Sequence, residues 1–453
     1  MIPLTLKEIA SALGATLIGD DCTISSVTTD SRKVEPDSLF VALKGEKFDG
    51  HQFCADVCAL GVSALLVSQR QETSVPQLLV EDTRYGLGLL GALVRSRVAA
   101  KFVAITGSCG KTTVKEMCAA ILGLNGPVLA TQGNLNNEIG VPLTLLRLVP
   151  EHKFAVIEMG ANHPGEIAWT TSLVKPDVAL INNVAAAHLE GFGSLQGVAL
   201  AKSEIFTGLD DKGTAIVNAD SEFYDYWKAD LGPGMLSFGL DNGSADFTAK
   251  SIESDEGACC RFLMVTPQGN IDVALPLPGR HNVANALAAA ALCQSLGVSL
   301  PLIKQGLEVM QPVKGRLNVL HMSGGLTLID DTYNASVQSV LAAIDTLAAM
   351  PGYRVLVFGD MGELGHEAVE LHSQVGTHAK ERGLDLLLTV GSLAEHAALA
   401  GGGQHFTDKS SLFAALGKLL AAKEGITLLA KGARSSRMEE VIEFVKTSKE
   451  QTC

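Results

Sequence analysis

Long apolar runs are missing from this sequence. Stretches such as Ala286 to Cys293 end far short of the roughly 20 residues that a membrane-spanning helix needs, so no membrane span is expected. The opening Met-Ile-Pro-Leu-Thr-Leu-Lys-Glu places Lys7 and Glu8 where a secretory signal requires an unbroken apolar core, which predicts a cytoplasmic protein. A basic excess is missing too: 35 Lys and Arg stand against 49 Asp and Glu, a formal net charge of −14. That balance excludes a general nucleic-acid binder, which needs a basic face. Aromatic residues are only 5% of the chain, leaving few rings to stack on. The nine cysteines are odd in number, contain no C-x-x-C and lie in apolar segments, which predicts reduced thiols. Zinc is not expected either. His366, His372 and His378 recur every six residues, about 240° per step on a helix, and so share no face. His366-Glu367 with His372 is not H-E-x-x-H, and His51, Cys54 and Cys58 have the spacing of a buried helix face with no fourth ligand nearby.

What is present is length and regular alternation. At roughly 150 residues per domain, 453 residues with 47% apolar composition suggest about three domains. Thr5 and Glu8 form a capping-box pattern, and Leu6, Ile9, Ala10 and Leu13 recur at helical spacing, which predicts a helix over 4–14. Strand-like runs at Ser38 to Leu43 and Ala64 to Val67 complete a small α/β unit, residues 1–99. From Lys101, apolar runs at 102–106, 155–159, 178–184 and 214–218 alternate with helical segments, predicting a mostly parallel sheet covered by helices on both faces. A β-rich stretch near 235–275 and an Ala-rich helix over 282–296 close this second part, residues 100–311. The run Gln311-Pro-Val-Lys-Gly-Arg316 reads as a linker or hinge. Beyond it, runs at 326–329, 354–358, 386–390 and 426–430 predict a second doubly wound, Rossmann-like unit, residues 312–453. That unit has no G-x-G-x-x-G, which removes the main support for a nicotinamide dehydrogenase. The fold class expected is therefore α/β in three domains.

The run Phe102-Val-Ala-Ile-Thr-Gly-Ser-Cys-Gly-Lys-Thr-Thr113 carries the most chemistry. An apolar strand feeds a glycine turn and then a helix with the apolar face Val114, Met117, Cys118, Ile121 and Leu122. Glycines let backbone N–H groups approach phosphate oxygens, the helix N-terminus adds partial positive charge, Lys111 neutralises terminal phosphates, and the Thr112 hydroxyl suits Mg2+. The loop is a shortened G-x-x-G-K-T, with Gly107, Ser108, Cys109, Gly110, Lys111, Thr112 and Thr113 as candidate nucleotide contacts. Taken alone it says nucleoside triphosphate and leaves ATPase, kinase, GTPase and ligase open. Glu158 ends an apolar strand, where ligands bind in doubly wound folds, and its carboxylate suits Mg2+. His188 follows another strand, and spacing alone does not separate a ligand from a loop histidine.

With these residues in view, the chain resembles the Mur ligases, the ATP-dependent amide-forming enzymes of peptidoglycan precursor synthesis, along essentially its whole length. Thr106 to Thr113 is similar to that family's short phosphate loop. The resemblance implies that Glu158, His188 and Lys202 are its metal-site glutamate, histidine and carbamylated lysine, with Thr112 completing the ligands of two Mg2+ ions. It implies that Asn282 and Asn285 in Pro278-Gly-Arg-His-Asn-Val-Ala-Asn285 lie on the adenine side, that Arg316 contacts phosphate, and that Asp331 and Asn334 in Asp330-Asp-Thr-Tyr-Asn334 contact nucleotide. The runs Thr29-Asp-Ser-Arg32, Phe40 to His51, Gly133 to Pro142, Phe358 to Gly365 and Lys431 to Glu440 resemble the branch that adds D-alanyl-D-alanine to UDP-N-acetylmuramoyl-tripeptide; no D-N-P-R occurs. Substrate contacts implied are Ser31, Arg32, Lys47, Asp49, His51, Asn134 and Asn137, with Asp360, Lys431, Arg434 and Ser435 in the last domain. The expected protein is a monomer with an acyl-phosphate route to the amide. The third residue of the peptide stays open between diaminopimelate and lysine. Folylpolyglutamate synthase shares this fold and chemistry, and a P-loop regulatory ATPase is an alternative from another class. A chain of charge −14 handling two polyanions must place its cations, and Arg32, Lys47, Lys111 and Arg316 are the candidates.

Overall fold

The computed structural model describes residues 1–45, 48–185 and 189–450. They form two compact units: Met1–Thr106 with Leu122–Leu180 and Ala201–Ala215, and Gly107–Ile121 with Ile181–Leu200 and Ile216–Cys453.

In the first unit, the helix Leu6–Leu13 starts at the expected capping box: Glu8 N donates to Thr5 Oγ1 at 3.2 Å, and Thr5 N donates to Glu8 Oε2 at 2.9 Å. Leu6 and Ile9 are its buried face. A five-stranded sheet follows in the order Thr16–Ile18, Gln77–Leu79, Ala64–Val67, Ser38–Val41, Ser26–Thr28. Its strands are parallel except the Thr16–Ile18 edge. Phe40, Leu65, Val67, Cys54 and Val57 pack together on one side, so the His51 and Cys54 region is the buried helix face that its spacing predicts. The strand Phe154–Glu158 pairs in parallel with Lys101–Thr106 on one side and with Val128–Ala130 on the other. Phe154–Glu158 is buried throughout, the signature of a parallel strand covered on both faces. Asp177 anchors its neighbour, accepting from Phe102 N at 2.8 Å and from Lys101 Nζ at 2.7 Å.

The second unit begins at the phosphate loop and the helix Lys111–Gly123, whose Val114, Met117 and Cys118 are fully buried. Strands Thr248–Ser254, Cys259–Thr266 and Gly269–Pro278 form an antiparallel sheet in the β-rich stretch. The helix Arg280–Ser295 is buried nearly all round, as an alanine-rich helix without a polar face should be. The last sheet has the order Asn318–Met322, Leu326–Asp331, Ile426–Lys431, Tyr353–Gly359, Leu386–Val390, Gln404–Phe406. Every pairing is parallel except the first, and the carboxyl ends of the central strands bring Asp331, Lys431 and Phe358 into neighbouring register. Loops after those strands are where a doubly wound sheet binds ligands.

The α/β class with mostly parallel sheets is as expected. One strand is shorter than its apolar run predicts: it spans Val178–Ile181 and stops because Asn182 and Asn183 turn toward the phosphate loop. The eight described cysteines are free thiols. Among the described residues no helix is long and apolar enough to cross a membrane.

Candidate active site

The loop Gly107–Gly110 is pinned by the segment that follows the Val178–Ile181 strand. Ser108 N donates to Asn183 O at 3.0 Å, Cys109 N donates to Asn183 Oδ1 at 2.7 Å, and Cys109 O accepts from Asn182 Nδ2 at 3.0 Å. Gly110 has φ 77°, and a Cβ there would lie 2.6 Å from both Asn182 Nδ2 and Asn285 Oδ1, so only glycine fits. A chain of amides backs the turn: Asn182 Nδ2 donates to Asn285 Oδ1 at 3.0 Å, Asn285 Nδ2 to Asn282 Oδ1 at 3.0 Å, and Asn282 Nδ2 to Pro278 O at 2.8 Å. Asn282 and Asn285, expected on the adenine side, lie beside the loop, with their side chains bracing it. Asn182 and Asn183, which the sequence did not single out, hold it from the other side. Lys111 Nζ donates to Gly107 O at 2.7 Å, which folds its ammonium over the turn, and Thr113 lies half-buried in the first helical turn.

Arg316 reaches the start of this helix. An Arg316 Nη2 donates to Thr112 Oγ1 at 3.0 Å, and its guanidinium lies 4.6 Å from the centre of the Tyr333 ring. Cys109 Sγ and Ser336 Oγ are 3.0 Å apart. Lys431 Nζ pairs with Asp331 Oδ2 at 2.6 Å and donates to Asn334 O at 3.0 Å. Burial pushes the Asp331 carboxyl up, with Lys431 pulling the other way. The same cation and, more strongly, burial push His281 down to about 4, so its imidazole is neutral. The Gly107–Thr113 loop, Asn282, Asn285, Arg316, Asp331 and Lys431 are therefore all held within the second unit. Asn334 is exposed at its edge.

Other expected residues are placed differently. Asp360 spends its carboxylate on the chain itself, accepting from Ser392 N at 3.0 Å, Leu393 N at 3.0 Å and Ala394 N at 2.7 Å. Arg434 reaches Glu439 at 3.2 Å on the surface, and Ser435 is exposed in the same 3-10 turn. In the first unit, Arg32 is exposed and donates to Asp30 at 2.8 Å, holding that carboxyl down at about 2, with Ser31 between them half-buried. His51 Nδ1 faces Asp49 Oδ1 at 2.6 Å while its Nε2 accepts from Ser68 N at 3.0 Å, which engages both ring nitrogens; the hydrogen bonds from His51 hold Asp49 below the usual carboxylate range. Asn134 is exposed, and Asn137 Oδ1 accepts from Gly140 N at 2.9 Å to start a helix. Its neighbour Asn136, missed in the sequence, donates from Nδ2 to Glu158 Oε1 at 2.8 Å. Glu158 and Lys202 are each only 2% exposed. Lys47 and His188 lie outside the described residues.

Thr112 Oγ1 and the Glu158 carboxylate are hard oxygen donors of the kind Mg2+ takes. Among the described residues no group of three or more His, Cys, Asp or Glu could hold a metal ion. Thr112 in the second unit and Glu158 in the first each suit Mg2+ by donor type, an ion that keeps phosphate oxygens and water in its shell.

Comparison with known proteins agrees with this geometry. Residues 23–95 match the profile described as the Mur ligase family catalytic domain, 105–293 the Mur ligase middle domain, and 315–434 the Mur ligase glutamate ligase domain. The UDP-N-acetylmuramoyl-tripeptide–D-alanyl-D-alanine ligase of Escherichia coli K12 is 53% identical over 98% of both chains. A crystal structure of MurF from Acinetobacter baumannii has a TM-score of 0.93 at 40% identity, covering 97% of this chain and 98% of that one. The MurF ligase of Thermotoga maritima, solved in complex with ADP, has a TM-score of 0.86 at 28% identity, covering 94% and 98%. With a shortened phosphate loop braced by asparagines, Arg316 upon it and relatives of this identity across the full length, the chain belongs to the Mur ligase family.

Proposed function

We propose that this chain joins D-alanyl-D-alanine to the terminal tripeptide carboxylate of UDP-N-acetylmuramoyl-tripeptide, driven by ATP, in peptidoglycan precursor synthesis. The observation that carries the reading is Arg316 on the Thr112 hydroxyl above the Gly107–Thr113 loop, in a chain 53% identical to a ligase of that name. Amide formation in water needs an activated acyl group. A tripeptide carboxylate oxygen attacks the γ-phosphorus of ATP, giving an acyl phosphate and ADP. The free amine of the dipeptide then attacks the acyl carbon, loses its proton, and the tetrahedral intermediate collapses to amide and inorganic phosphate.

The chain's own groups do electrostatic work in the first step. Loop N–H groups and the N-terminus of the Lys111–Gly123 helix hold phosphate oxygens. Lys111 and Arg316 neutralise the charge that spreads over the transferring phosphoryl. Thr112, Glu158, His188 and a carbamylated Lys202 would hold two Mg2+ ions, which would supply Lewis-acid charge when bound. Carbamylation turns a lysine cation into a carboxylate-like anion, which suits it to that set. We assign Asn282, Asn285, Asp331 and Asn334 to the nucleotide side. Ser31, Arg32, Lys47, Asp49, His51, Asn134 and Asn137 serve the UDP-linked substrate, and Asp360, Lys431, Arg434 and Ser435 the dipeptide. Asp360 and His51 act through the backbone they hold. Residues 1–99, 100–311 and 312–453 are the three domains, in a cytoplasmic monomer.

Phosphate release tests the reading. It should require ATP, the UDP-muramoyl-tripeptide and D-alanyl-D-alanine together, with a pentapeptide product. Release with ATP alone would favour a regulatory ATPase, and release with a folate and glutamate would favour folylpolyglutamate synthesis.

A further inference from the structure

Arg316 is held by more than its contact with Thr112. Gly315 and Leu317, on either side of it, are both left-handed, with φ 75° and φ 46°. For leucine that conformation is strained, so surrounding contacts must enforce it. They do: Leu317 N donates to Asp331 Oδ1 at 3.2 Å and Tyr333 N donates to Gly315 O at 3.1 Å. A Cβ on Gly315 would lie 3.2 Å from Tyr333 Cβ, so glycine lets the tyrosine come in close. The result is a kink that turns the arginine side chain back over the Tyr333 ring, 4.6 Å from its centre, with a guanidinium nitrogen on Thr112 at 3.0 Å. A planar guanidinium stacks on a ring as an ammonium does not, and stacking removes the rotamer freedom that a long side chain would otherwise lose in the transition state.

We infer that Tyr333 is a positioning residue for Arg316: its ring fixes the guanidinium above the phosphate loop, ready for the terminal phosphoryl group of ATP. This rests on the proposed phosphoryl transfer. Tyr333 itself touches no reacting atom. Its ring, not its hydroxyl, does the holding.

The test uses the full chain as Tyr333→Leu, Tyr333→Phe, Arg316→Lys and the Tyr333→Leu/Arg316→Lys double variant. Tyr333→Leu should lower kcat about 10-fold while KM for the UDP-substrate stays within about twofold, and Tyr333→Phe should stay within about twofold of wild type. In the Arg316→Lys background, the added Tyr333→Leu should change kcat by less than about twofold, because the stacked partner is already gone. A full 10-fold loss in that background, or a Phe variant as poor as Leu, overturns the inference. Binding of ADP and of β,γ-imido-ATP gives a readout that needs no ligase turnover. Tyr333→Leu should lose preference for the triphosphate analogue to the same degree as Arg316→Lys, and a retained preference overturns the inference. Absence of turnover in wild type would instead refute the proposed reaction. If Tyr333→Leu fails to give a cooperative melt, Tyr333→Gln, which also lacks the ring, takes its place in every comparison.

Discussion

Asp331 and Lys431 end adjacent parallel strands and meet side chain to side chain at 2.6 Å, both nearly excluded from solvent. Two charges taken out of water are held there by each other and by hydrogen bonds: Lys431 to Asn334 O, and Leu317 N to Asp331. Removing one partner leaves the other charge buried, which costs about 3–5 kcal/mol. Lys431→Met should therefore lower stability by about 3 kcal/mol in urea titrations, and Asp331→Asn by a similar amount. The double variant should lose clearly less than the sum. Additive losses would mean that the pair is not coupled.

Gly110 is the tightest point of the phosphate loop. Alanine there must hold a left-handed φ and displace the Asn182 or Asn285 amide, each 2.6 Å from the new Cβ. The strain is local, roughly 1–2 kcal/mol of backbone energy, so melting should shift little. The displaced amides are the ones that set the loop's shape, so KM for ATP should rise about 10-fold or more in Gly110→Ala. Steady-state kinetics with ATP varied, beside a melting curve, check both halves. An unchanged KM would show that the loop does not depend on this packing.

Local signals were legible in the sequence and long-range ones were not. The Thr5 and Glu8 capping box joins residues three positions apart and formed as read. The strand, glycine turn and helix of the phosphate loop are contiguous, so their chemistry could be read from order alone. By contrast, Asn182 and Asn183 looked like the end of an apolar strand, because their partner Cys109 lies more than 70 positions away. Among Asn134, Asn136 and Asn137, residue type cannot tell which amide faces Glu158; the turn geometry decides it for Asn136. Asp360 was legible only through a resemblance, and its contacts with three backbone N–H groups of 392–394, more than 30 positions away, could not be seen in the sequence. The strand Asn318–Met322 is a half-buried antiparallel edge with little apolar contrast, and it went unread beside its strongly apolar neighbours.

His281 gives the fold a pH dependence. Burial, with Lys431 nearby, lowers it to about 4, against about 6.5 in an unfolded chain. A depressed histidine favours the folded state only while it is neutral. Its contribution is full above about pH 6.5 and is lost as pH falls toward 4, because the unfolded chain takes the proton first. Between pH 7.5 and 5.0 this one group should remove about 2 kcal/mol of stability. His281→Gln should flatten the dependence by that amount in urea titrations at the two pH values. A slope equal to wild type would place the dependence elsewhere, for instance on His372, which burial also lowers.

Lys202 closes the helix Leu195–Ser203 and is 2% exposed, a depth at which an ammonium and a carbamate are electrostatically opposite occupants. If the carbamate completes a metal site, Lys202→Ala removes a carboxylate-like ligand and leaves room for a small acid. Activity should fall about 100-fold, a loss in the range seen when a metal's supporting shell is broken. Formate, acetate or propionate should restore part of it, with the acid of best-fitting length working most strongly. Wild type assayed after removal of dissolved carbon dioxide should also slow, and recover on addition of bicarbonate. Full activity of Lys202→Ala without any additive would exclude the carbamate, and equal, weak effects of every acid would assign them to ionic strength.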